Sequence, residues 1–460
     1  MEALRQFWSS VTGAVRNAQL SVSSWLLLAL CISLQFICSL PHAIALRKLF
    51  LLSAFLIAFK CFWEGMRNKP NPLIFAFLLL VILQVWELVI SGFIASQPLN
   101  SFSEWKGQWM PALMAFIVGI GLARTLMLSR LKDPSAAIML SIVVPIALFL
   151  SINAVVLIHG WIQSGGFIAS RAGIGDHKGV VGYLAALLEP ILIADLLARF
   201  ARGGRLLPIP AWATSVLLVL AICTLVATTN RNGILILILT LTLFAAILVL
   251  EIRKNYSVKK VIAAILATFA FVLAIAITSY KIDPRWQTFA ETIPIAWDID
   301  RDQYWLGDDA SAAPKTPSGK QVDISQYSRI AWAHEGWRML LLHPWGIEIA
   351  RDTFRTLELE KYGHAGMSHS HNSWIDFGLN VGIPGLLLWG SFLVLLARHG
   401  WGTWRKHKDP LGLALAVLVT MFAVRGLLDS IFRDHELEQF LLVAGLLAGT
   451  LSFGITRIRN

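Results

Sequence analysis

Long apolar stretches alternate with short polar connections along most of the chain. Twelve stretches stand out: 22–40, 45–63, 72–95, 110–129, 136–159, 180–199, 208–228, 233–250, 260–279, 374–396, 410–428 and 436–456. Each is about 18–25 residues long, enough to cross a bilayer core of about 30 Å as an α-helix. Pro41 and the pair Arg47–Lys48 mark the boundary between the first two. The first twenty residues are mixed and carry no A-x-A-like site, so no cleavable signal peptide is expected.

One connection departs from this pattern. It runs from about 280 to 373, too long for a passive link. Asp323 with Gln326 three residues on predicts a capping box. Ile330, Ala333, Trp337 and Leu341 then recur at helical spacing up to His343-Pro344. A second short helix is predicted from about Asp352 to Tyr362, ended by Gly363, and 306–320 reads as turns. The expected fold is an all-α polytopic membrane protein of about twelve spans with one large, partly helical loop. It divides into 1–279 with nine spans, the loop 280–373, and 374–460 with three.

Composition agrees with lipid as the main solvent. Hydrophobic residues make up 56% and charged residues 15%, against about 25% charged in ordinary globular proteins. The mean hydropathy is +0.66. Disordered, collagen-like and disulfide-framework classes are excluded. Cys31, Cys38, Cys61 and Cys223 all lie within apolar runs, where a thiol acts as a small hydrophobe. The net charge of +11 is uneven, since Lys281–Lys361 holds 13 acids and 10 bases. The positive excess sits in short connections, which indicates membrane topology rather than nucleic acid, and no basic stripe interleaved with aromatics is present. Alternate connections hold about 20 against about 8 Lys and Arg, which places both termini in the cytoplasm and the long loop on the opposite side.

Polar residues at the edge of lipid are costly and therefore informative. Three groups fall on the non-cytoplasmic side: Thr228-Thr229-Asn230-Arg231-Asn232-Gly233, Ser328-Arg329-Ile330-Ala331-Trp332, and Ser368-His369-Ser370-His371-Asn372-Ser373. They contain no acid and offer two guanidiniums and the imidazoles of His369 and His371. Arg presents a planar fork to phosphate oxygens, and His accepts a proton near neutral pH. The set suits an anionic lipid-linked substrate, and no carboxylate dyad of the glycosidase type is apparent.

His371-Asn372, nine residues, then Gly382-Ile383-Pro384-Gly385 fits the signature H-[NSQ]-x9-G-x-x-[GTY], and Arg231 with Leu235 fits R-x3-L. With Arg329, Trp332 and His343-Pro344-Trp345-Gly346 in the loop, the chain resembles the O-antigen ligase and polymerase superfamily of bacterial envelopes. The resemblance implies a GT-C-like membrane glycosyltransferase of the inner membrane with its active site at the periplasmic face. It would move a preassembled glycan from undecaprenyl diphosphate to a lipid A–core sugar. It implies His371 as the base on the acceptor hydroxyl, with Arg231 and Arg329 on the donor diphosphate. Asn372, Asp429, Arg171 and Lys178 are possible supports. Inversion at the anomeric carbon is expected, and neither metal nor cofactor is required.

Other readings stand beside these. One alternative has His371 opening a helix, and another has Gly378, Gly382 and Gly385 serving helix packing. His364, His369 and His371 are a weak metal set, and Asp298–Asp302 lacks the glycine and glutamate of a calcium loop. Asp429 has two readings, orienting His371 or pairing with Arg425, while Glu189 and Asp195 carry no assigned role. Within the superfamily the alternatives are a polymerase or a protein O-oligosaccharyltransferase. A twelve-span secondary transporter is the alternative of a different class, though its paired inverted halves are not visible here.

Overall fold

The computed structural model describes residues 20–67, 72–165, 174, 178–202, 204–252, 258–301, 303–307 and 313–459. Among them the architecture is all-helical. Helices occupy all twelve apolar stretches: α1 (Val22–Ile37), α2 (Ile44–Met66), α3 (Pro72–Val89, running into a π-turn at Ile90–Ile94), α4 (Pro98–Met127), α5 (Pro134–Ser164), α6 (Lys178–Arg202), α7 (Ala211–Ala227), α8 (Arg231–Ile252) and α9 (Val258–Ile282). The loop supplies α10 (Phe289–Trp297), α11 (Ile324–Leu342) and α12 (Thr353–Tyr362), and then come α13 (Ser373–His407), α14 (Pro410–Arg425) and α15 (Asp434–Arg459). Among the described residues, eight helices are long and apolar enough to cross a membrane, and α1, α7 and α14 are shorter apolar helices. The chain is a multi-pass membrane protein.

Small residues set the packing of the bundle. Lipid gives helices no hydrophobic drive to associate, so close van der Waals contact has to supply it. Gly119 on α4 faces the backbone of Leu442 and Leu446 on α15, and Gly445 returns the contact to Phe116. Gly121 approaches Ala58 of α2, and Gly400 and Gly412 bring α13 and α14 together. The result is one continuous apolar core through the bundle. A second core, with Trp305, Tyr327, Trp332 and Phe354 at its centre, lies in the loop and takes in Ile375 and Leu379 of α13.

Two expectations about charges need correcting. Arg47 and Lys48 do not lie in a connection; they open α2 and are turned inward. Arg47 Nε is 3.0 Å from Glu438 on α15, and Lys48 Nζ donates to Gly107 O at 2.7 Å. Their charge is used inside the bundle and is a poor topology marker. Asp323 does cap α11, accepting from Gln326 N at 2.9 Å. The reciprocal half of the capping box is missing, because Gln326 Nε2 donates instead to Arg285 O at 3.0 Å. The second loop helix ends at Gly363, whose φ of 78° closes it. The turn stretch includes an antiparallel bridge between Lys315 and Gln321, while 308–312 lie outside the described residues.

The loop is locked to α13 where that helix breaks. Gly382 has φ 65° and ψ −174°, a conformation open essentially to glycine alone. The segment His343-Pro344-Trp345-Gly346 enters this break. Ile383 N donates to Pro344 O at 2.8 Å, Ile347 N to Leu379 O at 3.0 Å, and Trp86 Nε1 to Val381 O at 2.7 Å. A Cβ on Gly382 would stand 2.5 Å from Pro344 O and Gly346 N, and one on Gly346 would stand 2.5 Å from Asn380 O.

Gly382→Ala is therefore expected to cost about 1–3 kcal/mol in backbone strain alone, with the clash added. Gly390 lies on the same helix with open space around it, so Gly390→Ala should leave the melting temperature of the detergent-purified protein within a few degrees. Equal melting of the two variants would show that the break carries no constraint.

Candidate active site

The three polar groups singled out from the sequence meet at helix ends. Asn230 Oδ1 accepts from Gly233 N at 2.8 Å and so caps α8, which puts Arg231 at the first helical position. Asn372 caps α13 in the same way, accepting from Trp374 N at 3.0 Å and Ile375 N at 3.2 Å. His371, one residue earlier, is held at φ 57°, an uncommon conformation for a residue with a Cβ. Arg329 projects from α11. Together Arg231, Arg329 and His371 line one cavity of about 290 Å³, with Asn232, Asn372, Gln326, Trp286, Phe289 and Trp297 also on its walls. The starts of α8 and α13, the positive ends of their dipoles, both border this cavity, with the Gly233, Trp374 and Ile375 amides engaged by the caps.

The three polar groups contain no acid, but acids from elsewhere in the chain reach Arg231. Arg231 Nη1 and Nη2 each lie 3.4 Å from Asp323 Oδ1, and Nε lies 3.8 Å from Asp283 Oδ2. Asp283 in turn accepts Arg285 Nε at 2.6 Å. Two guanidiniums and two carboxylates thus compensate one another. Burial works to raise the Asp283 carboxyl, but the Arg285 hydrogen bonds and the neighbouring Arg charges outweigh it and hold it low. Arg329 differs: among the described residues no carboxylate comes within ion-pair distance and no hydrogen bond is made. It is half-buried and faces the cavity.

His371 is positioned from three sides. Trp332 stacks on it at 5.6 Å between centroids and 24°, and Trp332 is itself fixed by an Nε1 bond to Trp305 O at 3.0 Å. His369 lies 4.3 Å away on the other side. Burial first, then the charge of Arg433 and the neighbouring His371, pushes the His369 pKa down to about 3, so it stays neutral. Asp429 Oδ1 is 3.9 Å from His371 Nδ1, which is buried and makes no hydrogen bond. Asp429 Oδ2 also lies 3.7 Å from Arg425 Nη2, so this carboxylate faces both groups weighed for it. Burial alone would raise Asp429; His371, Arg425 and Arg329 hold it well below the usual carboxylate range.

Not every expected residue joins the cavity. Arg171 lies outside the described residues, as does the side chain of Lys178. Asn372 lines the cavity and also caps α13. Among the described residues no three His, Cys, Asp or Glu side chains converge as metal ligands. What sequence reasoning missed is Asp283, Arg285 and Asp323 and the aromatic wall of Trp286, Phe289 and Trp297. Asp323 was visible as a cap, but its reach to Arg231, 92 positions away, was not.

Residues 216–390 match the Wzy_C family model, described as O-antigen ligase. No curated protein matches the chain. The matched span contains Arg231, Arg329 and His371, the three residues that meet in the cavity, and over this span the chain is similar to the O-antigen ligase family.

Proposed function

We propose that the protein is an O-antigen ligase that moves a preassembled glycan from undecaprenyl diphosphate to a lipid A–core sugar at the periplasmic face of the inner membrane. In this reading all twelve apolar helices span, with both termini cytoplasmic. The observation that carries it is the meeting of an imidazole and a guanidinium, Arg329, with no ion-pair partner among the described residues, in one cavity. A transporter would be expected to place its substrate groups near mid-membrane instead.

The acceptor hydroxyl oxygen attacks the anomeric carbon from the face opposite the diphosphate, inverting it. Its proton passes to His371, with Nδ1 on the Asp429 side and Nε2 left for the hydroxyl. Asp429 then balances the imidazolium, as carboxylates do for catalytic histidines. The bond from the anomeric carbon to the diphosphate oxygen breaks, and undecaprenyl diphosphate leaves with the growing charge against Arg329. Arg231 is compensated before the donor arrives, so it contributes by exchanging Asp323 for phosphate oxygens. The aromatic wall offers apolar faces to the prenyl chain or to sugar rings. No metal enters the scheme.

Reconstitution with defined donor and two acceptors tests the proposal. Product on lipid A–core supports ligation, whereas elongation of the donor glycan itself would make the protein a polymerase. His371→Ala is expected to lower turnover by about 10²–10⁴-fold while donor binding persists; near wild-type turnover removes the base.

Arg329→Lys should lose most activity, because an ammonium keeps the charge but not the two-point geometry. Arg231→Lys should lose activity together with thermal stability, since its fork also serves Asp323. Initial rates at saturating donor, read beside melting curves, check this, and full activity in both variants would eliminate the bidentate clamp. Turnover should also survive EDTA, and restoration by Mg²⁺ or Mn²⁺ after chelation would overturn the metal-free scheme.

A further inference from the structure

The turn between α14 and α15 holds a charged group that the scheme above does not use. Arg425, the last residue of α14, is 1% exposed. Its Nη2 donates to Gly179 O at 3.1 Å and lies 3.7 Å from Asp429 Oδ2, and its guanidinium carbon stands 5.7 Å from the Tyr183 ring centre. Nε and Nη1 are buried without a hydrogen-bond partner among the described residues. Glu189 on α6 and Glu436 on α15 are within electrostatic reach but make no ion pair with it among the described residues. Burying a guanidinium with two donors unmet is expensive. The attraction of a cation to the C-terminal end of α14 is small by comparison.

The same turn is fastened to the His-bearing helix. Ser373 N donates to Gly426 O at 2.7 Å, Ser373 Oγ to Asp429 O at 2.6 Å, and Ile431 N to Ser373 Oγ at 2.6 Å. The Asp429 backbone is therefore fixed relative to His371, while its carboxylate is placed by the Ser430 N–H, which donates to Oδ1 at 3.1 Å, and by the cations around it. Three cationic groups compete for that carboxylate: Arg425, His371 when protonated, and Arg329. Arg329 makes no ion pair among the described residues, so an Asp429 released from Arg425 would find an open partner there.

Resting on the ligase reading, we infer that Arg425 is a positioning residue: it holds the Asp429 carboxylate beside His371 and keeps it from neutralising Arg329. One buried cation thus serves two groups that it does not touch. His371 keeps its counter-charge, and Arg329 stays available for the diphosphate.

The test uses the full-length protein in the reconstituted transfer assay, normalised to folded protein by size-exclusion chromatography. Arg425→Met should lower kcat about tenfold and raise the donor KM several-fold, because Asp429 then occupies Arg329. Arg425→Lys, which keeps a charge next to Asp429, should recover the donor KM. In an Asp429→Asn background, Arg425→Met should add less than a twofold further change, since no carboxylate remains to be held. A merely structural role would lower the yield of folded protein, leave the donor KM unmoved and persist in the Asp429→Asn background. That pattern, or wild-type constants in Arg425→Met, overturns the inference. If Arg425→Met does not fold, Arg425→Gln is read by the same comparison. His371→Ala runs alongside: if it remains active the base reading fails, whereas an inactive His371→Ala with Arg425 variants of wild-type behaviour sinks the positioning role alone.

Discussion

A charge at the edge of lipid must be answered by an opposite charge or by a ligand, and the arrangement around the cavity follows from that constraint. Arg231 is answered by Asp323 and Asp283, Asp283 by Arg285, and Asp429 by Arg425 and the His371 ring. Deeper in the bundle Glu438 answers Arg47 and Lys48. Arg329 is the cation in the cavity that no described carboxylate answers. In a poorly hydrated site such a guanidinium gains most from an anion that arrives from outside, which is why the diphosphate reading centres on it.

The caps play a quieter part in the same scheme. Asn230 meets the Gly233 amide of α8 and Asn372 meets the Trp374 and Ile375 amides of α13, so each helix end adds its dipole with part of its amides already engaged. The anion's geometry is left to the side chains, Arg329 first. The strained backbone at His371 fits this arrangement, since the residue just before a cap is pulled out of the helical path and its ring is free to stack on Trp332.

Much of this was legible in the sequence, for identifiable reasons. Apolar length alone located all twelve helices, because a helix in lipid must satisfy its own backbone and little else competes. Arg231, Arg329 and His371 were found because polar residues at span ends are rare. The compensating acids were not found. Asp283 and Asp323 carry no local signal that points to Arg231; the end of α9 brings Asp283 to the start of α8, and the start of α11 brings Asp323 there. Arg47 and Lys48 misled because a hydropathy count cannot tell a charge in a connection from one buried against Glu438. Asn372 read as a site residue, and it lines the cavity while its Oδ1 caps the helix it begins.

The broken helix at Gly382 gives the signature spacing a mechanical meaning. Between the cap at Asn372 and the break at Gly382 run nine helical residues, about 13.5 Å at 1.5 Å each. This short rod has the imidazole at one end and, at the other, the groove that receives Pro344-Trp345-Gly346. It acts as a ruler and also as a phase key. One residue more or less would turn the groove by about 100° about the rod's axis, away from the segment it must receive, while the apolar character of the helix would hardly change. The count of nine thus sets an angle as well as a distance.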